Sequence, residues 1–284
     1  MPNKAHHEIN RLSWNEGTKA HNSHKGDQAA FFRAGGSTLF HEEQTLLGDI
    51  SGKTLLHLQC NSGQDSLSIV SHLGAAVTGV DISDEAIRFA RELARDSGIP
   101  AEFIRADVYD FFDQHVQLFD VAFSSYGAIC WLSDIQTWGQ GIASCLKSGG
   151  RFVLVDFHPA LMMFDAQWRL SDDYMGGVAY EYDSGVGDYV AMTGAAAGID
   201  SLEAGICDFH NPYPGVEYKW GVAEIVTAII DAGLQLTHLK EYAYSNLFKP
   251  FPDMQAIGGL RFAVPAHLPQ NVPLMFSLVA ELTP

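Results

Sequence analysis

Short apolar runs bounded by small polar turns alternate with amphipathic stretches from residue 54 to residue 156. This alternation predicts strands and helices in turn. Thr54–Gln59 reads as a first strand, with a helix from about Gln64 to His72. Ala76–Asp81 reads as a second strand. Ser83 is a good N-cap for the next helix, Asp84 and Glu85 suit its first turn, and Gly98 before Pro100 marks its stop. Glu102–Arg105 and Phe119–Ser124 predict strands three and four. Ser133-Asp134-Ile135-Gln136 has the form of a capping box opening a helix that ends near Lys147, and Gly149-Gly150 leads into strand five, Arg151–Asp156. Strands alternating with helices imply parallel pairing through right-handed crossovers.

The flanks read differently. Residues 1–36 are polar and patternless, broken by Gly35-Gly36, and Ser37–Ile50 reads as a helix. Residues 159–219 are rich in glycine and aromatics, among them Trp168, Tyr174, Tyr180, Tyr182 and Tyr189. Val178–Asp183 and Asp188–Thr193 could pair as a hairpin across Ser184–Gly187. The regular pattern resumes with a helix over Val222–Ala232, a strand over Leu234–Tyr242 and a last strand over Pro273–Glu281. The resulting division is a cap segment over 1–45, a Rossmann-like core over 46–158 and 220–284, and a lid-like insertion over 159–219.

Composition narrows the function. Of 284 residues, 47% are apolar, enough to cover both faces of a sheet. Seventeen basic against 34 acidic residues give a net charge of -17. That balance repels nucleic acid and anionic membrane, so neither is expected as a partner. No apolar run nears a membrane span, and the His-rich start lacks the apolar core of a signal peptide. Four scattered cysteines (Cys60, Cys130, Cys145, Cys207) form no disulfide or zinc pattern, which points to reduced thiols in a cytoplasm. His6, His7, His21 and His24 share no spacing with Cys or carboxylate, so they read as surface histidines and no metal is expected. A homodimer is left open.

The chemistry gathers where strands end. The Gln59–Gly63 turn, Asp81 and Asp107 fall at the carboxyl ends of successive strands, the edge at which open α/β sheets bind ligands. An acid at the tip of the second strand, Asp81, can grip a ribose diol. Asp107 can accept from an adenine amino group, and Gly63 lets backbone pass close to a nucleoside.

Read together, Leu56-His57-Leu58-Gln59-Cys60-Asn61-Ser62-Gly63, Gly79-Val80-Asp81, Arg105-Ala106-Asp107, Phe119–Ser124 and Leu146–Val153 resemble the class I S-adenosylmethionine-dependent methyltransferases. The likeness covers about residues 46–158 and includes the terminal helix–strand–strand. It implies a seven-stranded, mostly parallel Rossmann-like sheet whose last strand is antiparallel. It also implies S-adenosyl-L-methionine as cofactor, S-adenosyl-L-homocysteine as product and a small-molecule methyl acceptor. It carries cofactor contact to His57, Gln59, Gly63, Asp81, Ile82, Ala106, Asp107 and Val108, with Ser124, Ser125 and Tyr126 near the methionine portion. The first motif departs from the family's usual form: His57 stands where an acid is normal, and Gln59 and Asn61 where glycines are. The resemblance is to a bacterial branch reading roughly Leu-His-Leu-Gln-Cys there.

Each of these residues has a plainer reading. Asp81 could simply precede the Ser83 cap, Asp107 could be a loop acid, and His57 a packed strand residue. Cys60 reads as structural or pocket-lining. Asp156 and His158 lie where strand five leaves the sheet, so His158 is a candidate general base with Asp156 as its orienter, or a strand-end turn residue. Trp131 and the insertion aromatics could cover the site or only pack. Two rival functions stand beside methyl transfer. A nicotinamide-dependent oxidoreductase needs a G-x-G-x-x-G turn, yet Gly63 is the only glycine from Gln59 through Ser66. A non-catalytic S-adenosylmethionine-binding protein would keep the same cofactor half.

Overall fold

The computed structural model describes residues 1–194, 203–268 and 272–283. Its elements run α1 (Lys4–Ser23), α2 (Gln28–Arg33), α3 (His41–Leu47), β1 (Thr54–Leu58), α4 (Gln64–Leu73), β2 (Ala76–Asp81), α5 (Asp84–Ser97), β3 (Glu102–Arg105), α6 (Val108–Phe112) and β4 (Phe119–Ser125). They continue α7 (Ile135–Cys145), β5 (Leu146–Phe157), β6 (Val178–Tyr182), α8 (Tyr189–Thr193), β7 (Gly215–Lys219), α9 (Val222–Asp231), β8 (Leu234–Tyr242), β9 (Tyr244–Asn246), β10 (Gln255–Gly258), β11 (Arg261–Ala263) and β12 (Met275–Leu282).

Seven strands form one sheet in the order β3-β2-β1-β4-β5-β12-β8. Only β12 runs against the rest, antiparallel to both neighbours. The order reverses between β1 and β4. One connection therefore leaves to each side, and a crevice opens at the carboxyl ends of these two strands. The inner strands β1, β4, β5 and β12 are buried on both faces, as continuous apolar runs require. Leu56, Leu58, Val80, Phe152 and Phe276 pack under α6, α7 and α9 around Trp138. Leu55, Val77, Val121 and Val153 pack on the other face against Leu47, Ile50 and Ile69.

Four local expectations change. Residues 1–36 are not irregular: α1 is a 20-residue helix capped by the Asn3 side chain. Its buried face repeats at helical spacing but is polar: His7, Asn10, Ser13, Gly17, Thr18, His21 and Asn22. Hydrogen bonds seat it. The Asn10 amide donates to the Val216 carbonyl and accepts the Val216 N–H, both at 2.8 Å, and Ser13 Oγ accepts the Val186 N–H at 2.8 Å. A hydrophobic-period reading has nothing to detect in such a helix.

The helix expected over Ser37–Ile50 shortens to α3, because Thr38 is held in extended chain by its N–H bond to Ser68 Oγ at 3.0 Å. The cap of α7 is Asp134, which accepts the Thr137 N–H at 2.9 Å; Ser133 instead accepts the Asn3 N–H at 2.8 Å. In the insertion, β6 pairs antiparallel with β7, so the expected hairpin with 188–193 does not form. Asp188 caps the short helix α8 there by accepting the Ala191 N–H at 3.0 Å. Residues 195–202 of the insertion lie outside the described residues. An excursion without an apolar period, β9-β11-β10, forms its own three-stranded sheet between β8 and β12.

The α7–α9 contact gives a test of how tightly the helical layer is set. A Cβ on Gly139 would stand 2.6 Å from the Ala228 carbonyl oxygen. Gly139→Ala gains about 1 kcal/mol of helix propensity. It must also separate two backbones, and overpacking costs about 1–3 kcal/mol. Net destabilisation is expected in urea unfolding; a midpoint at or above that of the wild type would show that the helices can part freely.

Candidate active site

The crevice is built first from backbone. After β1 the chain turns through Gln59 and Asn61, both left-handed at φ +51° and +48°, and reaches Gly63 at φ +78°. Such values are costly for residues with a Cβ, so the turn is held in place from outside. The Asn61 N–H donates to Asp81 Oδ2 at 2.9 Å and the Ser83 N–H to Asp81 Oδ1 at 2.8 Å. Asp81 thus ties the turn after β1 to the start of α5. Burial pushes its carboxyl up to about 6, against the pull of those backbone bonds. A carboxylate has about four lone-pair positions, so Asp81 keeps acceptor capacity for a diol.

Gly63 is required by packing, whatever its part toward a nucleoside. A Cβ there would come within 2.7 Å of the Phe103 ring and 2.9 Å of the Ala90 methyl, so the missing side chain lets the turn pack on β3 and α5. His57 lies beneath the turn, buried, with Nδ1 2.8 Å from Ser66 Oγ and its ring against Phe123. Burial pulls its pKa down to about 3, so it stands neutral. Cys60 is buried among Leu67, Ile87 and Phe103, and its thiol donates weakly to the neighbouring Asn61 carbonyl.

Asp107 is occupied. Its Oδ2 accepts His7 Nδ1–H at 2.7 Å and Lys4 Nζ at 2.9 Å, while Oδ1 accepts the Tyr109 N–H at 3.0 Å and caps α6. The His7 ring stacks on Tyr109 with centroids 5.2 Å apart. Asp107 therefore anchors α1 across the mouth of β3. Ala106 and Val108 flank it, the Ala106 N–H donating to the Asp81 carbonyl at 3.0 Å. Ile82 is half-buried between Asp81 and the Ser83 cap.

Beyond β4, Tyr126 takes φ +43°, and its hydroxyl accepts Asn246 Nδ2–H at 2.9 Å. Gln59 Nε2 donates to the Ala128 carbonyl at 2.6 Å, fixing the β1 tip to this loop. Several buried acceptors around the crevice have no partner among the described residues: Gln59 Oε1, Ser124 Oγ and His21 Nδ1. Ser125 lies beside Asp65, whose carboxyl is raised by burial although Thr38 Oγ1 donates to it at 2.5 Å. Lys25, pulled down to about 8 by burial, is drawn toward Asp65 and Asp188.

The strand-five pair does not assemble as a base and its orienter. Asp156 accepts the N–H groups of Gly127, Phe157 (2.7 Å) and Ile129 (3.3 Å), which holds the loop after β4. His158 Nδ1 accepts the Ala160 N–H at 3.1 Å, so Nε2 carries the proton it donates to Glu241 Oε1 at 2.9 Å. The ring is 3% exposed. Both nitrogens are committed, and His158 caps the short turn that follows.

Histidines near the start, expected on the surface, are buried: His7 at 5%, His21 at 1% and His24 at 7% exposure. They are the means by which α1 closes the crevice. His21 Nε2 donates to the Gly187 carbonyl at 2.8 Å, and its ring lies 3.9 Å from that of Tyr189. Trp14 meets Trp131 edge-on at 5.4 Å. Tyr189, close to Asn61 and Asp81, brings α8 over the Asp81 end. Sequence periodicity gave no signal for this cover, because its contacts are single aromatic and polar residues. No cluster able to hold a metal occurs among the described residues.

Residues 55–150 match the family model described as a methyltransferase domain. The ubiquinone biosynthesis O-methyltransferase of Salmonella arizonae is 31% identical over 103 residues, 36% of this chain and 42% of that protein. The chain thus spans less than half the length of the curated relatives it matches. An S-adenosylmethionine-dependent methyltransferase structure from Mesorhizobium loti superposes with a TM-score of 0.55 at 18% identity, covering 87% of this chain and 99% of that one. A second, from Methanosarcina mazei, gives 0.51 at 18% identity over 86% and 98%. At these identities the structural likeness is one of fold.

The cover is held partly by His24 Nε2 and Asp188 Oδ2, 2.8 Å apart and both nearly buried. Burial is the largest single influence on His24 and would lower its pKa, but the bond to Asp188, the Glu203 carbonyl and the Asp188 charge together outweigh it, and the proton is held more tightly than usual. A raised folded-state pKa means the contact stabilises fully below about 6.5 and fades as pH rises through the folded value. Asp188→Asn keeps the cap of α8 and removes the charge. The melting-point gap between wild type and this variant should be widest in mild acid and shrink toward alkaline pH. A gap independent of pH would remove ion pairing from the contact.

Proposed function

From the match of residues 55–150 to a methyltransferase domain, we propose that this chain is a class I S-adenosylmethionine-dependent methyltransferase and moves a methyl group from S-adenosylmethionine to a small-molecule acceptor. One observation carries the reading most. At the reversal of strand order, Asp81 bridges two turns while keeping acceptor capacity, and unpartnered buried acceptors stand nearby at Gln59, Ser124 and His21. Buried acceptors without donors are uncommon, and a ligand rich in donors accounts for them. Ribose hydroxyls, an adenine amino group and an ammonium are such donors, so the residues present fit the cofactor.

In this reading Asp81 takes the ribose diol, with Ile82 and Gly63 shaping the wall beside it. Gln59, Ser124, Ser125 and Tyr126 line the methionine end. Asp107 contributes by holding α1 closed, with Ala106 and Val108 setting its position. When bound, S-adenosylmethionine supplies a methyl group already activated by its sulfonium. The chain's part is to align an acceptor with that group and to keep water out, which Trp14, Trp131, His21 and Tyr189 do by covering the crevice. Because His158 has no free lone pair, Asp156 and His158 are inferred to shape the wall, not to remove a proton.

The acceptor is inferred to be small because α1 and α8 close over the crevice, and non-nucleic because the chain carries a charge of -17. Among the described residues no helix is long and apolar enough to cross a membrane. All four cysteines are free, which supports a reducing, cytoplasmic setting. A non-catalytic cofactor-binding protein would share this crevice, and S-adenosylhomocysteine formation from a metabolite pool separates the two.

Calorimetric titration tests the cofactor assignment. S-adenosylhomocysteine should bind in the micromolar range and NAD should not; tighter NAD binding would overturn the reading. Asp81→Ala should weaken S-adenosylhomocysteine by at least ~10-fold, since hydrogen bonds to a charged group are worth about 1.5–3 kcal/mol. Asp107→Ala should cost less, and through loosening of α1. An unchanged dissociation constant in folded Asp81→Ala would remove Asp81 from the site.

A further inference from the structure

Glu43, in α3, is 0% exposed, and neither carboxylate oxygen has a hydrogen-bond partner among the described residues. Its neighbours make the anomaly sharper. Glu42 accepts Tyr244 Oη–H at 2.6 Å, Asn246 Nδ2–H at 3.1 Å and the Arg261 guanidinium at 2.8 and 3.0 Å. Asp65 has Thr38 and the nearby Lys25. Two of three neighbouring acids thus have bonded donors and a cation close by, while the third has the Tyr126 hydroxyl beside it and no cation. Burial, with Asp65 and Glu42 adding repulsion, pushes the Glu43 carboxyl up to about 8 against the pull of the Tyr126 hydroxyl. A buried, unpaired carboxylate is expensive, and a well-placed, hydrogen-bonded cation offsets part of that cost.

Its place in the fold bears on what could meet it. Glu43 lies beside Tyr126, which follows the tip of β4, and near Asp65 in the first turn of α4. It therefore sits on the crevice side where Gln59 and Ser124 also lack partners. The acid that the first motif usually supplies is absent, and His57 in its place is neutral and bonded to Ser66.

We propose that Glu43 is an ammonium-binding carboxylate of this crevice, receiving an alkylammonium group that belongs either to the methionine portion of the cofactor or to an amine-bearing acceptor. The assignment of the crevice to S-adenosylmethionine underlies this proposal. An ammonium offers three donors and one charge, which would meet both Glu43 oxygens and balance the third acid.

Wild type and Glu43→Gln are titrated with S-adenosylhomocysteine and with 5′-methylthioadenosine, which lacks the amino acid portion. Both proteins are also melted in methylammonium chloride against sodium chloride at equal ionic strength, with and without S-adenosylhomocysteine. A pH of ~9 keeps Glu43 ionised and an alkylammonium, ordinarily near ~10.4, charged. If the cofactor supplies the group, Glu43→Gln weakens S-adenosylhomocysteine at least ~10-fold and leaves 5′-methylthioadenosine unchanged. If the acceptor supplies it, S-adenosylhomocysteine affinity is kept, and methylammonium raises the melting point of the wild-type complex but not of the variant. Equal S-adenosylhomocysteine affinity with no methylammonium effect specific to wild type overturns the proposal. Should the variant fail to fold, failure of methylammonium to stabilise wild type, free or complexed, overturns it alone. Wild type that binds neither nucleoside refutes the cofactor assignment instead, while the ligand-free methylammonium melts still report on Glu43.

Discussion

The reversal of strand order between β1 and β4 is the constraint on which everything else rests. A right-handed crossover from β1 goes one way and those of the β4 side go the other, so no helix can cover the junction. The junction is left as a gap whose floor is backbone. Asp81 then converts that gap into a shaped surface, because its carboxylate fixes two turns that would otherwise be independent. The left-handed conformations of Gln59 and Asn61 persist only inside that bracing.

The core was legible in the sequence because parallel strands buried on both faces must be apolar throughout, and helix caps use few residue types. Ser83, with Gly98 at the far end of α5, fell where its termini are found. The strand-edge acids were legible for the same topological reason. The cover was not. Helix α1 buries Asn10, Ser13, Thr18 and Asn22, so its inward face has the composition of a surface. Its histidines read as solvent-facing when each is in fact bonded to a partner 100 or more residues away, such as Asp107 and Gly187. Long-range hydrogen bonds leave no local period to find.

Individual roles were less legible than positions. Asp107, Gly63 and His158 all lie at the predicted edge, yet each satisfies a neighbour: α1, Phe103 with Ala90, and the Ala160 N–H with Glu241. Position follows from the strand pattern alone. Role depends on what a side chain's other lone pairs already hold, and that is set by segments distant in sequence. Glu43 makes the same point in reverse, since an acid in a short amphipathic helix reads as solvent-facing and is fully buried.

The polar seat of α1 has a consequence for the molecule in solution. An apolar helix lifted from its groove uncovers oily surface on both sides, and such surfaces stick to one another. Lifting α1 would instead uncover amides, hydroxyls and carbonyls, groups that water satisfies readily, along with isolated rings such as Trp14. Undocking would then tend to leave the chain dispersed, not aggregated. A high negative charge acts in the same direction by keeping opened molecules apart.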